Sequence, residues 1–137
     1  MTSLQQMINV DSENTFLNIL FKSFKENKIR YAVMRNYEPL PFSSGGSDLD
    51  IIINSGDEAR TRMVVREAIQ SAGGVPIGLA ESAGFFKVYA LGETLGVTRQ
   101  WWGMCLDLNV GLYFRGLRLL DEQVAWPLRF HHGISVL

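Results

Sequence analysis

The chain has 137 residues, 47% of them hydrophobic and 20% charged, with 13 Lys and Arg against 14 Asp and Glu and a formal net charge of -1. One hydrophobic core suits that length, and the composition is too apolar for a disordered chain and too polar for a bilayer. The near balance of charge leaves no chain-wide basic footprint for nucleic acid, and no apolar run approaches the roughly 20 residues that a membrane crossing needs.

The amino-terminal MTSLQQMINVDSEN lacks a basic segment followed by an apolar one, so it does not read as a secretory signal. The single cysteine, Cys105, excludes an internal disulfide, and within MCLDLNV it reads as a small packed hydrophobe. These features lead to the expectation of a cytoplasmic protein that is one domain over residues 1–137, with a core from about 12 to about 126 and a short tail over 127–137.

Between Asp11 and Lys28, Phe16, Ile19, Leu20 and Phe24 recur at helical spacing, with Asp11 or Ser12 available as N-cap. YAVMRN follows as a short strand, and EPLPFSSGGS, rich in proline, glycine and serine, reads as a loop. DLDIIIN is a strand whose three isoleucines predict burial on both faces at its far end. Ser55 and Glu58 have the spacing of a capping box, Val65, Ala68, Ile69 and Ala72 form the apolar stripe of a second helix, and Gly73 and Gly74 end it.

VPIGLA, FFKVYAL, VTRQWW and MCLDLNVGLYF then read as strands joined largely by hairpins, and the stretch from Gly116 to Ala125 as a last short helix stopped by Pro127. The fold expected is α/β of the α+β kind: a mixed, mostly antiparallel sheet of about five strands with helices on one face.

Chemistry concentrates in three aspartates. Side chains alternate along a strand, so Asp48 and Asp50 share one face while Leu49 and Ile51 share the other. Asp107 interrupts a second apolar strand, where Cys105 and Asn109 share its face. Neighbouring carboxylates repel, and a divalent cation held by oxygen ligands, Mg²⁺ or Mn²⁺, would neutralise them if the two strands are adjacent. The competing reading is local: a D-x-D pair after a Gly-Ser loop also caps backbone N–H groups in turns.

The succession of a strand, a loop ending in GGSDLDIII, a helix and a later strand with one more aspartate resembles the DNA polymerase beta-like nucleotidyltransferases, from about Tyr31 to about Phe114. The resemblance implies a nucleotidyltransferase that moves a nucleotidyl group from a nucleoside triphosphate to a hydroxyl on a small molecule, a sugar or a protein. It implies that Asp48 and Asp50 hold the cations that carry the triphosphate, and that Asp107 helps to activate the hydroxyl. The family places Gly-Ser directly after the first strand, whereas this chain has Arg35 and Asn36 there. Arg35, Asn36 and the backbone of Gly45, Gly46 and Ser47 stand in as the expected phosphate contacts. The alternative of the same fold is a catalytically inactive domain that binds a nucleotide or a partner protein, and a third reading is an interaction module with structural aspartates.

Of the remaining residues, one of Trp101 and Trp102 should face the core and the other the opposite side, where an aromatic ring can stack on a base or sugar. His131 and His132 should point apart in the tail, Arg60, Arg62 and Arg66 should form a solvated face, and exposed strand edges allow a homodimer or a partner domain.

Overall fold

A computed structural model describes residues 4–82, 84–94, 100–110, 112–114, 117–120 and 129–137. In chain order the elements are helix α1 (Leu4–Glu26), strands β1 (Tyr31–Val33) and β2 (Leu49–Ile53), a 3-10 turn (Ser55–Asp57), helix α2 (Glu58–Ser71), and strands β3 (Gly74–Ser82), β4 (Phe85–Thr94), β5 (Gln100–Val110), β6 (Leu112–Phe114), β7 (Leu117–Leu120), β8 (Arg129–His131) and β9 (Ile134–Val136). Seven strands form one mixed sheet in the order β3-β4-β5-β2-β1-β9-β8, and β6 and β7 pair separately. The pairs β2/β5 and β1/β9 are parallel and the other pairs are antiparallel.

The class is the expected one, but the sheet exceeds the five strands expected. Of the expected tail over 127–137, the described residues 129–137 supply both extra strands: Arg129–His131 and Ile134–Val136 form a hairpin joined to β1 through Val33 and Val136. VTRQWW and MCLDLNV, read as two strands, share one continuous strand from Gln100, because Gly103 continues the pleat without a turn. The helix expected over 116–125 is not formed at Leu117–Leu120, which pair instead with β6; the helix-forming leucines yield to tertiary pairing, and residues 116 and 121–125 lie outside the described residues.

Alternation sorts the sheet. Leu49, Ile51 and Ile53 of β2, Phe86, Val88 and Ala90 of β4, and Trp102, Met104, Leu106, Leu108 and Val110 of β5 point to one face and enclose a single core with Phe16, Leu17, Leu20 and Phe24 of α1 and Val64, Val65, Ala68 and Ile69 of α2. Ile52 is fully buried on the other face, as the isoleucine run predicts. Ile19 is only partly buried, and Leu17 takes its expected place in the stripe.

Trp102 turns inward and packs its ring 5.3 Å from that of Phe16, while Trp101 is exposed. Gly92 lies opposite Trp102 in the β4/β5 register, and a Cβ there would come within 2.1 Å of the indole nitrogen. The indole therefore requires a glycine across the ladder.

The start of α2 is not capped as expected. The Asn54 side chain accepts from Gly56 N–H in place of a Ser55/Glu58 box, and Asp57 makes no cap. Asp57 is instead buried and accepts from Arg30 N–H at 2.9 Å, from Arg30 Nε at 3.0 Å and from Arg60 Nη2. Arg60 also donates to Asn27 O at 3.1 Å. One carboxylate thus ties the end of α1, the entry to β1 and the first turn of α2. Burial alone would push its carboxyl up, but the hydrogen bonds from Arg30 and Arg60 outweigh that and hold it below the ordinary range.

Two outcomes are expected. Gly92→Ala overpacks the indole and should cost about 1–3 kcal/mol in chemical denaturation, with Trp102→Leu relieving much of that cost. Asp57→Ala should cost roughly 1–3 kcal/mol by leaving the Arg30 N–H and both guanidinium groups without their acceptor. Because the folded carboxyl titrates below the unfolded value of about 4, its contribution is present above that pH and is lost as the pH falls below it, so wild type and variant should converge in acid.

Candidate functional site

The parallel ladder of β2 and β5 decides the site. Its register sets Leu49 opposite Leu106, Asp50 opposite Asp107 and Ile51 opposite Leu108, so the leucines and isoleucines enter the core while both aspartates project from the opposite face. Asp48 sits just before β2, and Asp48, Cys105 and Asp107 each bring one donor atom within 4.8 Å of the others. The three aspartates therefore converge from two strands, the adjacency on which the sequence reading depended.

Two cations answer these carboxylates. Arg35, in the turn after β1, donates from Nε to Asp50 Oδ2 at 2.5 Å. Lys87 of β4, opposite Asp107 in the register, places Nζ 3.3 Å from Asp107 Oδ1 and 4.0 Å from Asp48 Oδ2. Burial pushes the Asp107 carboxyl above its ordinary range; Lys87 opposes the shift and the neighbouring Asp50 adds to it. Asp107 in turn pushes Lys87 above its ordinary range.

Cys105 does not pack into the core as expected. It faces the carboxylates, with Sγ 3.7 Å from Asp107 Oδ1, because it shares the parity of Asp107 along β5. Burial and the charges of Asp107 and Asp48 push the thiol up to about 11, which keeps it protonated and removes thiolate chemistry at neutral pH. Asn109 completes this face and donates to Ile51 O at 3.4 Å.

The expected phosphate contacts are less concentrated. Arg35 reaches the carboxylates and remains largely exposed, while Asn36 takes a φ of +57° in the same turn and has no hydrogen bond to them among the described residues. In the loop, Gly45 N–H donates to Ser43 Oγ and Ser47 N–H to Ser44 O at 3.4 Å, leaving Gly46 N–H without an acceptor among the described residues. The loop is anchored to α1, where Glu13 accepts from Ser44 N–H at 3.1 Å and Asn14 donates to Pro41 O at 2.7 Å.

Sequence reasoning missed Lys87, whose signal is its place in FFKVYAL, a charge inside an apolar strand like Asp107 itself. It also missed Asp57, which reads as an ordinary helix-start aspartate. The arginines of α2 are not a uniformly solvated face: Arg62 pairs with Glu58 and Glu81 and lies 4.0 Å over the Phe86 ring, and Arg60 pairs with Asp57. His131 and His132 do not point apart. A left-handed φ of +50° at His132 turns the rings together, 4.6 Å between centroids, beside Tyr37 and Phe42.

No model of a protein family matches the chain, and no curated protein matches it. Among the described residues no helix is long and apolar enough to cross a membrane.

The raised Asp107 carboxyl makes a testable sign. The folded protein holds that proton above the unfolded value of about 4, so the wild type loses stability as pH rises through the shifted titration. In metal-free buffer Asp107→Asn should therefore gain stability relative to wild type as pH rises above the unfolded value of about 4 in thermal melts; a pH-independent difference would show an unshifted carboxyl.

Proposed function

We propose that this chain is a metal-dependent nucleotidyltransferase of the DNA polymerase beta-like kind, which moves a nucleotidyl group from a nucleoside triphosphate to a hydroxyl acceptor. The observation that carries the reading is the side-by-side placement of Asp50 and Asp107 on parallel strands with Asp48 beside them. A cluster of carboxylates at the head of an apolar strand costs stability unless something uses it, and Asp48 and Asp107, within 4.8 Å of each other and of Cys105 Sγ and with Asp50 beside Asp107, offer the oxygen donors that Mg²⁺ or Mn²⁺ prefers. Asp48, Asp50 and Asp107 would hold the cation, which when bound supplies neutralisation of phosphate charge.

The chain's own groups have separable roles. Asp107 is partly buried beside Asp50, and its raised affinity for a proton suits it to accept one from the attacking hydroxyl. Arg35 is positioned on Asp50 through one nitrogen and largely exposed, so its remaining donors can meet a phosphate oxygen. The rigid ladder holds the carboxylates still, so alignment of the two reactants depends on little side-chain ordering.

A second reading rests on Lys87. Its ammonium lies between Asp107 and Asp48, where it neutralises the charge that a cation would otherwise answer. On this reading the domain is catalytically inactive and binds a nucleotide or a partner protein.

Melting with Mg²⁺ or Mn²⁺ and each nucleoside triphosphate separates the two. The enzyme reading expects a metal-dependent rise in Tm with nucleotide that is lost in Asp48→Asn/Asp50→Asn, and a tighter metal response in Lys87→Met, where the competing ammonium is gone. No rise in the wild type, with a metal response appearing only in Lys87→Met, would establish the ammonium as the resident cation and the domain as inactive.

A further inference from the structure

The β5 strand is longer than the β2 strand beside it. Pairing between them starts at Leu49 and Leu106, so the stretch of β5 from Gln100 to Cys105 has no strand partner on that side among the described residues. The loop that leads into Asp48 lies there instead, and between loop and strand is a cavity of about 340 Å³. Glu13, Ser47, Asp48, Tyr89, Gly103 and Cys105 are among the residues that line it. It adjoins the carboxylate centre through Asp48 and Cys105.

The chemistry of the lining narrows the occupant. Among the described lining residues the only charged groups are the carboxylates of Glu13 and Asp48; Lys87, just outside the lining, stands 4.0 Å from Asp48 and answers it, so Glu13 is the lining charge with no ion pair among the described residues. At the Glu13 end a cation is favoured over an anion. An edge of backbone without a strand partner offers N–H and C=O groups, which hydroxyls satisfy as donors and acceptors at once. The half-exposed Tyr89 ring has the Lys87 ammonium 5.9 Å from its centroid and offers its remaining surface to the C–H side of a ring. Gly103, opposite Leu91, leaves the floor open: a Cβ there would meet only Leu91 Cδ1 at 3.6 Å and Ala90 O at 3.7 Å, which is ordinary contact, so the strand would accept a side chain that fills the floor.

We infer that this cavity is a binding site for a small hydroxylated compound that carries a positive charge, with Glu13 meeting the charge, Tyr89 the ring and the β5 edge the hydroxyls. The inference rests on the proposed transferase reading only where it calls this compound the acceptor, whose hydroxyl would be presented to Asp48 and Asp107. The volume suits a molecule of one or two rings, and a folded macromolecule would not enter it.

The test uses one scaffold at three charges: glucosamine, glucose and glucuronate, titrated into the isotope-labelled whole chain without metal or nucleotide and followed by amide chemical shifts. Glucosamine should move Ser47, Tyr89 and Gly103 together and bind about tenfold more tightly than glucuronate, a difference of one modest charge interaction. Gly103→Val, which fills the floor with a strand-compatible side chain, should abolish the shifts, and Tyr89→Ala should weaken them should the valine variant fail to fold. Glu13→Gln keeps an oxygen for Ser44 N–H and should bring glucosamine down to the level of glucose. Absence of shifts for all three sugars, or shifts that persist in both Gly103→Val and Tyr89→Ala, would overturn the site. Glucuronate binding best, or glucose equalling glucosamine in the wild type, would overturn the charge assignment. A separate Mg²⁺ and nucleotide titration that fails while the glucosamine shifts remain would sink the transferase reading alone.

Discussion

Everything at the candidate site depends on the register of one parallel ladder. Neighbouring strands lie about 4.8 Å apart, so side chains at matched positions are forced into company whether or not their charges agree. Asp50 and Asp107 occupy such matched positions, and the residues on either side of them, Leu49, Ile51, Leu106 and Leu108, are buried among the two helices. A slip of one residue would drive the aspartates into the core and the leucines out, which the hydrophobic face forbids. The core thus enforces an electrostatically unfavourable meeting, and the positions of Arg35 and Lys87 are the local answer to it.

The chain contains a second buried carboxylate, and the contrast is instructive. Asp57 is surrounded by donors from Arg30 and Arg60, both fixed by elements that meet there, and its acceptor capacity is used inside the fold. Among the described residues Asp50 and Asp107 have one cation each, and Asp48 is left half exposed at the mouth of the loop. A saturated carboxylate ties elements together; an unsaturated group of them has capacity left for something from outside. Burial and formal charge do not separate these two situations, whereas the number of donors supplied by the fold does.

Local pattern made the first half of the fold legible. Phe16, Leu20 and Phe24, the isoleucines of β2 and Gly73 with its φ of +78° each carry a signal that spans a few residues, and each appears where periodicity and glycine chemistry put it. The convergence of Asp48, Asp50 and Asp107 was legible only as a condition, because strand adjacency is not written in either strand. The second half was harder. Leu117–Leu120 has helix-forming composition and is a strand because β6 is available to pair with it, and the strands at 129–136 are short enough to read as a tail. Lys87 carries in the sequence only the signal of a charge inside FFKVYAL; its part in the site comes from facing Asp107 across β4 and β5, a cross-strand relation that the strand itself does not record. The paired rings of His131 and His132 follow from a left-handed turn residue that alternation along a strand does not anticipate.

The parallel pairing of β1 with β9 also governs the order in which the molecule can be assembled. Val33 and Val136 are about a hundred residues apart in the chain, so one edge of β1 has no partner while all the intervening segments are being synthesised. During that interval the nascent chain can join α1, β1 and β2, yet it presents a free ladder edge to any extended peptide nearby. Tyr31, Ala32 and Val33 are few, and a three-residue edge templates aggregation poorly. The shortness of β1 acts in this way as a safeguard on the ribosome, protecting a sheet whose inner strand is the last to be enclosed.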